Sequence, residues 1–361
     1  VGREALNTVV SIIINNYNYA RFLRATIDSA LSQSYASIEV LVVDDGSTDQ
    51  SRAIIDSYGD RIRPVLKKNG GQASALNAGF AMCQGNIVIF LDADDVLLPH
   101  AVRRVADVFA AQPPTAKVQY RMEVIDQGGH QTGVIKPPRH IPLLTGDLKK
   151  QEMLFPFDLS WLPTSGNAFA TRALRNSFPI PEEVYGQVGA DWYVAHLTPL
   201  YGPVVSLDEV CAYYRVHASN NYELTELRLD LAHIRQTIVY CDYTRGYLLK
   251  YAEQLDVPDR PAEILSVSYV ANRITSLKLE PDQHPIVGDT AVKLFKLALI
   301  AIARRSDVAW PMKVMFGMWF AFMVIAPKSL AHWLAEAFFF PERRTRLNHW
   351  LGTLHRSGQG A

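Results

Sequence analysis

The chain has 361 residues, 48% of them apolar, with 36 basic and 36 acidic side chains. That length holds one large domain with an appendage, or two domains. A formal net charge of zero leaves no basic excess to displace counterions, which excludes a nucleic-acid binder driven by phosphate neutralisation.

The first residues, VGREALNTVVSIII, lack a basic segment followed by a signal-length apolar core, so no export signal is expected. Cys83, Cys211 and Cys241 are scattered and odd in number. They read as reduced core thiols of a cytoplasmic protein rather than as a disulfide framework. From residue 8 onward, short apolar strands alternate with amphipathic helices. The strands are TVVSIII (8–14), IEVLVVD (38–44), IRPVL (62–66) and NIVIFLD (86–92). They are rich in Val and Ile at consecutive positions, as strands buried on both faces should be. Between and after them, Phe22/Leu23, Ile27 and Ala30/Leu31 recur at helical spacing, as do Leu76, Phe80 and Cys83, then Val102, Val105 and Phe109. Repeated strand, helix, strand predicts a mostly parallel sheet flanked by helices, an α/β fold.

After residue 115 the alternation stops. AKVQYRMEVIDQGGHQTGVI predicts two strands around a Gly-Gly turn, PPRHIP a loop, ADWYVAHL a helix, and GPVVSL and CAYYRVH two strands. Beyond 220 the chain reads as helical, with one stripe at Leu227, Leu231, Ile234, Ile238 and Cys241 and another at Val267, Val270, Ile274 and Leu277. The expected division is therefore 1–220, made of halves 7–110 and 111–220, followed by a helical region 221–361. Within the latter, 308–340 is strongly apolar, and VMFGMWFAFMVIA (314–326) is uncharged and bounded by Lys313 and Pro327. As a helix that run measures about 20 Å against a hydrocarbon core of about 30 Å, too short to span. An interfacial or re-entrant segment, a buried packing helix and an oligomer contact all remain compatible with it.

Parallel sheets of this kind bind ligands where the carboxyl ends of their strands meet. Here NNYN follows the first strand, DDGSTD the second, KKNGGQ the third and DADD the fourth, so four polar loops are expected to converge. Asp92 and Asp94, two apart in an extended chain, would face one side as oxygen ligands for a hard cation. The plainer reading has Asp94 or Asp95 capping a helix that starts near Pro99, and Ser47 or Thr48 capping one near Asp49. NNYN offers amides for a base edge and Tyr17 for stacking. The Lys67 to Gly71 loop is neither G-x-G-x-x-G nor a Walker sequence, so dinucleotide oxidoreductases and P-loop nucleotidases find no support.

Taken together, VVSIIINNYN, VLVVDDGSTD, KNGGQASALNAG and IVIFLDADDVLLP resemble the nucleotide-sugar-binding half of family 2 glycosyltransferases, of GT-A fold, over about residues 7–105. The likeness continues more loosely through TSGNAFATRAL, GADWYVAHLTPLYGPV and YRVH. It implies donor contacts at Asn15, Tyr17, Asp44, Asp45, Asn69, Gly70, Asn77, Asp92, Ala93 and Asp94. It also implies a general base at Asp191 and a divalent metal, Mn²⁺ or Mg²⁺, held by Asp94, Asp92 and His217. Two departures stand out: Asn15-Asn16 replaces a frequent Pro and Thr, and Ala190-Asp191 replaces the usual Glu-Asp. The implied activity is an inverting, metal-dependent transfer of a sugar from a nucleoside diphosphate, with UDP expected, to a hydroxyl of a saccharide. A polyprenyl-diphosphate-linked acceptor at the cytoplasmic face of the inner membrane follows if the apolar segment meets lipid. Two other readings are a sugar nucleotidyltransferase, which would want a glycine-rich loop after the first strand, and a non-catalytic nucleotide-sugar-binding scaffold.

Overall fold

A computed structural model of the chain describes residues 8–186, 189–217, 229–257 and 264–340. The described residues form two compact units. One gathers those within Val1–Met153, Leu159–Asn221 and Tyr243–Arg260, the other those within Leu154–Asp158, Tyr222–Asp242 and Pro261–Ala361.

In chain order the strands are β1 (Val10–Asn16), β2 (Ile38–Asp44), β3 (Arg63–Leu66), β4 (Ile87–Asp92), β5 (Val96–Leu97), β6 (Lys117–Ile125), β7 (Gln131–Lys136), β8 (Asn167–Ala170) and β9 (Val204–Arg215). The helices of the same stretch are α1 (Ala20–Leu31), α2 (Ser51–Asp56), α3 (Gln72–Met82), α4 (Ala101–Ala111), α5 (Lys149–Leu154), α6 (Thr171–Leu174), α7 (Glu182–Tyr185) and α8 (Ala190–Leu197). They are followed by α9 (Leu231–Gln254), α10 (Val267–Leu279), α11 (Ala291–Arg304), α12 (Trp310–Ile325) and α13 (Lys328–Phe339).

The strands make one sheet in the order β3-β2-β1-β4-β8-β6-β9-β5, with β7 added on β6. β1, β2, β3 and β4 pair in parallel, as helical crossovers require, whereas β8 runs antiparallel to both β4 and β6. Val10, Ile12, Ile14, Val40, Val42, Ile87, Ile89 and Leu91 form the centre of the core, against Leu23 and Ile27 of α1 and Val102 and Val105 of α4. α1 is helical because Phe22/Leu23, Thr26/Ile27 and Ala30 fall on one buried face.

Three local expectations change. GPVVSL and CAYYRVH are parts of a single strand, β9, which pairs in parallel with β6 and absorbs register shifts near Arg121. The residues between them keep strand geometry because β6 is long enough to pair with both. α4 starts at Ala101 with His100 at its N-cap and no side-chain cap bond, so neither Asp94 nor Asp95 caps it. α2 starts at Ser51, and its first turn is met by Asp49, whose Oδ1 accepts from Ser51 N at 2.9 Å, rather than by Ser47 or Thr48.

In the second unit α10, α11, α12 and α13 pack around Val270, Ile274, Leu294, Ala298, Phe320, Met323 and Ala331. The predicted stripe through Val267, Val270 and Ile274 is buried. In the other stripe Ile234, Ile238 and Cys241 are buried, and Leu227 lies outside the described residues. No described helix is long and apolar enough to cross a membrane.

Candidate active site

The parallel register sets the first contacts. Asn15 lies beside Asp92 in the β1–β4 pair and Asn16 beside Asp44 in the β1–β2 pair. Successive side chains of a strand point to opposite faces, so the two asparagines serve different loops. Asn15 Nδ2 donates to Asp92 Oδ1 at 2.9 Å, and Asn16 Nδ2 donates to Asp44 Oδ1 at 3.0 Å and to Ser47 Oγ at 3.1 Å. Tyr17, directly after them, is exposed.

The DADD segment is a turn rather than a continued strand: Asp95 N donates back to Asp92 O at 3.1 Å. The Thr26 hydroxyl contacts Ala93 O and Asp95 O, each at 2.8 Å, and Asp92 N donates to Ser165 Oγ at 3.0 Å. Asp95 faces inward and accepts from Arg215 N at 2.9 Å, while Arg215 Nε donates to Asp94 O at 2.8 Å. Asp94 Oδ2 lies 2.9 Å from His217 Nε2, and Arg21 Nη2 lies 3.1 Å from His217 Nδ1. A guanidinium can only donate, so Nδ1 is the acceptor and Nε2–H donates to Asp94. The rings of Tyr19 and Phe22 flank this imidazole at centroid distances of 5.6 Å and 4.8 Å.

Burial pushes the Asp92 carboxyl well above the ordinary carboxylate range, and the charges of Asp94 and Asp191 add to the shift. Asp94 is raised by burial too, with His217 opposing, and Asp95 by burial and by both neighbouring aspartates. Two buried carboxylates that repel each other are a donor set that a hard divalent cation fits, since such an ion offsets their charge with oxygen ligands. Among the described residues, no group of three or more His, Cys, Asp or Glu is set out to hold a metal.

On the other side of β1, the first two acidic side chains of DDGSTD, Asp44 and Asp45, are engaged by the protein itself. Asp44 accepts from Ser47 N at 3.2 Å and Arg52 Nε at 3.0 Å, and Asp45 from Lys67 Nζ at 2.5 Å, Gly70 N at 3.0 Å and Gly71 N at 2.7 Å. Asp45 thereby fixes the loop that opens α3, whose N-cap Gly71 has φ +86°. Gly46 also has positive φ, and a Cβ there would sit 2.6 Å from Asn69 N, so two loops meet at this glycine. Asn69 and Gly70 are exposed. Asn77 is committed elsewhere: its amide donates to Ile180 O at 2.9 Å and accepts from Ile180 N at 2.7 Å.

Asp191 stands in the first turn of α8, after Gly189 in a left-handed conformation, and its Oδ1 accepts from Trp192 N at 2.8 Å. Burial raises its pKa, with the Trp192 amide, His196 and Lys117 opposing. A buried polar cluster adjoins this helix. Lys117 Nζ lies 3.7 Å from the Trp161 ring centroid and has no hydrogen-bond partner. Trp161 Nε1 donates to Glu152 Oε1 at 3.0 Å, Glu152 Oε2 lies 3.1 Å from His196 Nδ1, and His196 packs on Trp192 at 4.6 Å. Burial lowers the Lys117 pKa to about 7, against the pull of Glu152 and Asp191.

Of the residues singled out from sequence, Asn15, Asp92, Ala93, Asp94 and His217 meet in one constellation, with Asp191 within electrostatic reach of Asp92. Asp45 and Gly70 meet in a second, and Asn69 adjoins it at Gly46. Sequence reasoning missed Thr26, Arg21, Lys117, Glu152 and His196, none of which stands in a polar motif at a strand end. Ser165 and Arg215 lie inside TSGNAF and YRVH, where neighbouring motif residues were the available signal.

Residues 11–172 match the family model described as Glycosyl transferase family 2. Over this segment the chain resembles glycosyltransferase family 2. Asp191 and His217 lie beyond the matched segment. An uncharacterized glycosyltransferase of Nostoc sp. is 38% identical over 219 residues, 59% of this chain and 66% of that one. Chondroitin synthase of Pasteurella multocida is 43% identical over 97 residues, 26% of this chain and 10% of that one. The chain thus spans less than two thirds of either relative. The fold is that of S. aureus TarS 1-349, solved in complex with UDP-GlcNAc: TM-score 0.53, 15% identity, covering 91% of each chain.

Proposed function

We propose that this protein is an inverting, metal-dependent glycosyltransferase that moves a sugar from UDP to a hydroxyl of a saccharide or lipid-linked saccharide. The observation that carries the reading is that Asp92 stands beside Asp94 and within electrostatic reach of Asp191 of α8, in a chain whose residues 11–172 match the family 2 model. The UDP donor draws support from the UDP-GlcNAc complex of the TarS neighbour, and a saccharide acceptor from the likeness to a chondroitin synthase.

Asn15 and Tyr17 would receive the base and Asp92 and Asp94 the donor's ribose and diphosphate side. Mn²⁺ or Mg²⁺ held by Asp92 and Asp94, with His217, would supply positive charge against the departing diphosphate. Asp191 takes the proton of the acceptor hydroxyl as that oxygen attacks the anomeric carbon opposite the leaving group, which inverts the centre. Desolvation suits Asp191 to this task, because a carboxylate with a raised pKa is a stronger base.

Calorimetric titration with UDP and with GDP, each with Mn²⁺ and with chelator, tests the proposal. UDP binding that needs the metal and is lost in Asp94→Ala is expected. Failure of a folded protein to bind either nucleotide would overturn it and leave the scaffold and nucleotidyltransferase readings no better placed.

A further inference from the structure

α12 has the sequence WPMKVMFGMWFAFMVI, with one cation and no anion. One side of it, Trp319, Phe320 and Met323, is buried in the core of the second unit. The opposite side is apolar too. Trp310, Val314, Met318, Phe322 and Ile325 recur at spacings of four, four, four and three, and are 75%, 40%, 52%, 52% and 76% exposed. Leu330 and Trp333 of α13 are exposed as well. Single exposed apolar residues are ordinary on a protein surface. A continuous apolar stripe about 24 Å long, on the side of a helix that solvent should make polar, is not.

We infer that this stripe of α12, extended by Leu330 and Trp333, docks on an anionic lipid surface with the helix axis lying along the membrane. The helix cannot cross a bilayer, because its other side is occupied by protein and no described helix is long enough. Trp310 and Trp333 are the amphipathic aromatic type enriched at the membrane interface. Charge selects the occupant. Lys313 lies within α12 and the exposed Lys328 follows it, while Glu336 is the only acidic residue of α12 and α13. Cations beside an apolar stripe attract anionic headgroups, whereas a second copy of the same face would bring like charges together.

The test is co-sedimentation of the full chain with phosphatidylcholine vesicles, with and without phosphatidylglycerol, alongside sedimentation equilibrium without lipid. Wild type should bind the anionic vesicles preferentially. Phe322→Glu, at an exposed position, should weaken that binding roughly tenfold or more with an unchanged circular dichroism spectrum. Lys328→Glu should remove the preference for phosphatidylglycerol while keeping residual binding. Absence of vesicle binding by wild type overturns the inference, and a dimer that Phe322→Glu dissociates assigns the face to a second copy instead. UDP titration of Phe322→Glu separates this outcome from failure of the transferase proposal, since the face contains none of the donor-site residues.

Discussion

Asp94 and His217, 123 residues apart in the chain, meet at 2.9 Å between Oδ2 and Nε2, and Arg21 closes the other side of the imidazole. The pair links the turn after β4 to the residues after β9. In this arrangement the imidazole orients Asp94 by donating to it, and Nε2 can ligate a metal only after its proton has moved.

His217→Gln separates those two roles. A glutamine amide can donate to Asp94 and accept from Arg21, yet it lacks the imidazole lone pair. If His217 ligates, metal-dependent UDP affinity should fall about 10- to 100-fold, and higher Mn²⁺ should restore it. Calorimetry at several Mn²⁺ concentrations reads this directly. Unaltered metal dependence would make His217 an orienting partner of Asp94 and leave two carboxylates as the protein's ligands.

Much of this constellation was legible in sequence because strand ends in a parallel sheet converge, so NNYN and DADD had to come together once their strands were recognised. Asp92 and Asp94 approach through a turn held by Thr26, where their spacing alone predicts an extended chain. The pairing of β9 with β6, and with it the placing of Arg215 and His217, depends on contacts about ninety residues apart that local periodicity does not encode. The buried partners of α8 were hidden for another reason. Lys117 opens a strand, Glu152 sits in a short helix, and each looks from sequence like a surface charge until packing encloses it.

Asp191→Asn tests the base. Asparagine keeps an oxygen for the Trp192 amide, so the first turn of α8 should persist while proton abstraction is lost. A fall of about 10²- to 10⁴-fold in kcat is expected, with nucleotide affinity unchanged. Because burial raises the Asp191 pKa, the wild-type rate should rise with pH above the ordinary carboxylate range. A kcat within a few-fold of wild type would place the base elsewhere.

Lys117 provides a stability test that does not depend on turnover. Its folded pKa of about 7 lies below the unfolded value of about 10.4, so between those pH values the unfolded chain binds more protons. Stability should therefore rise with pH across that window, and the unfavourable contribution of the buried ammonium is fully present only below it. Lys117→Met keeps the stem over Trp161 and removes the charge. It should be more stable than wild type by about 1–2 kcal/mol near neutral pH, with the difference shrinking toward pH ~10. Urea unfolding of both proteins at the two pH values measures this. A methionine variant less stable at both would mean that Glu152 and Asp191 more than offset the desolvation of the lysine. Because the Lys117 charge lowers the Asp191 pKa, the same substitution should also move the acid limb of the rate profile upward.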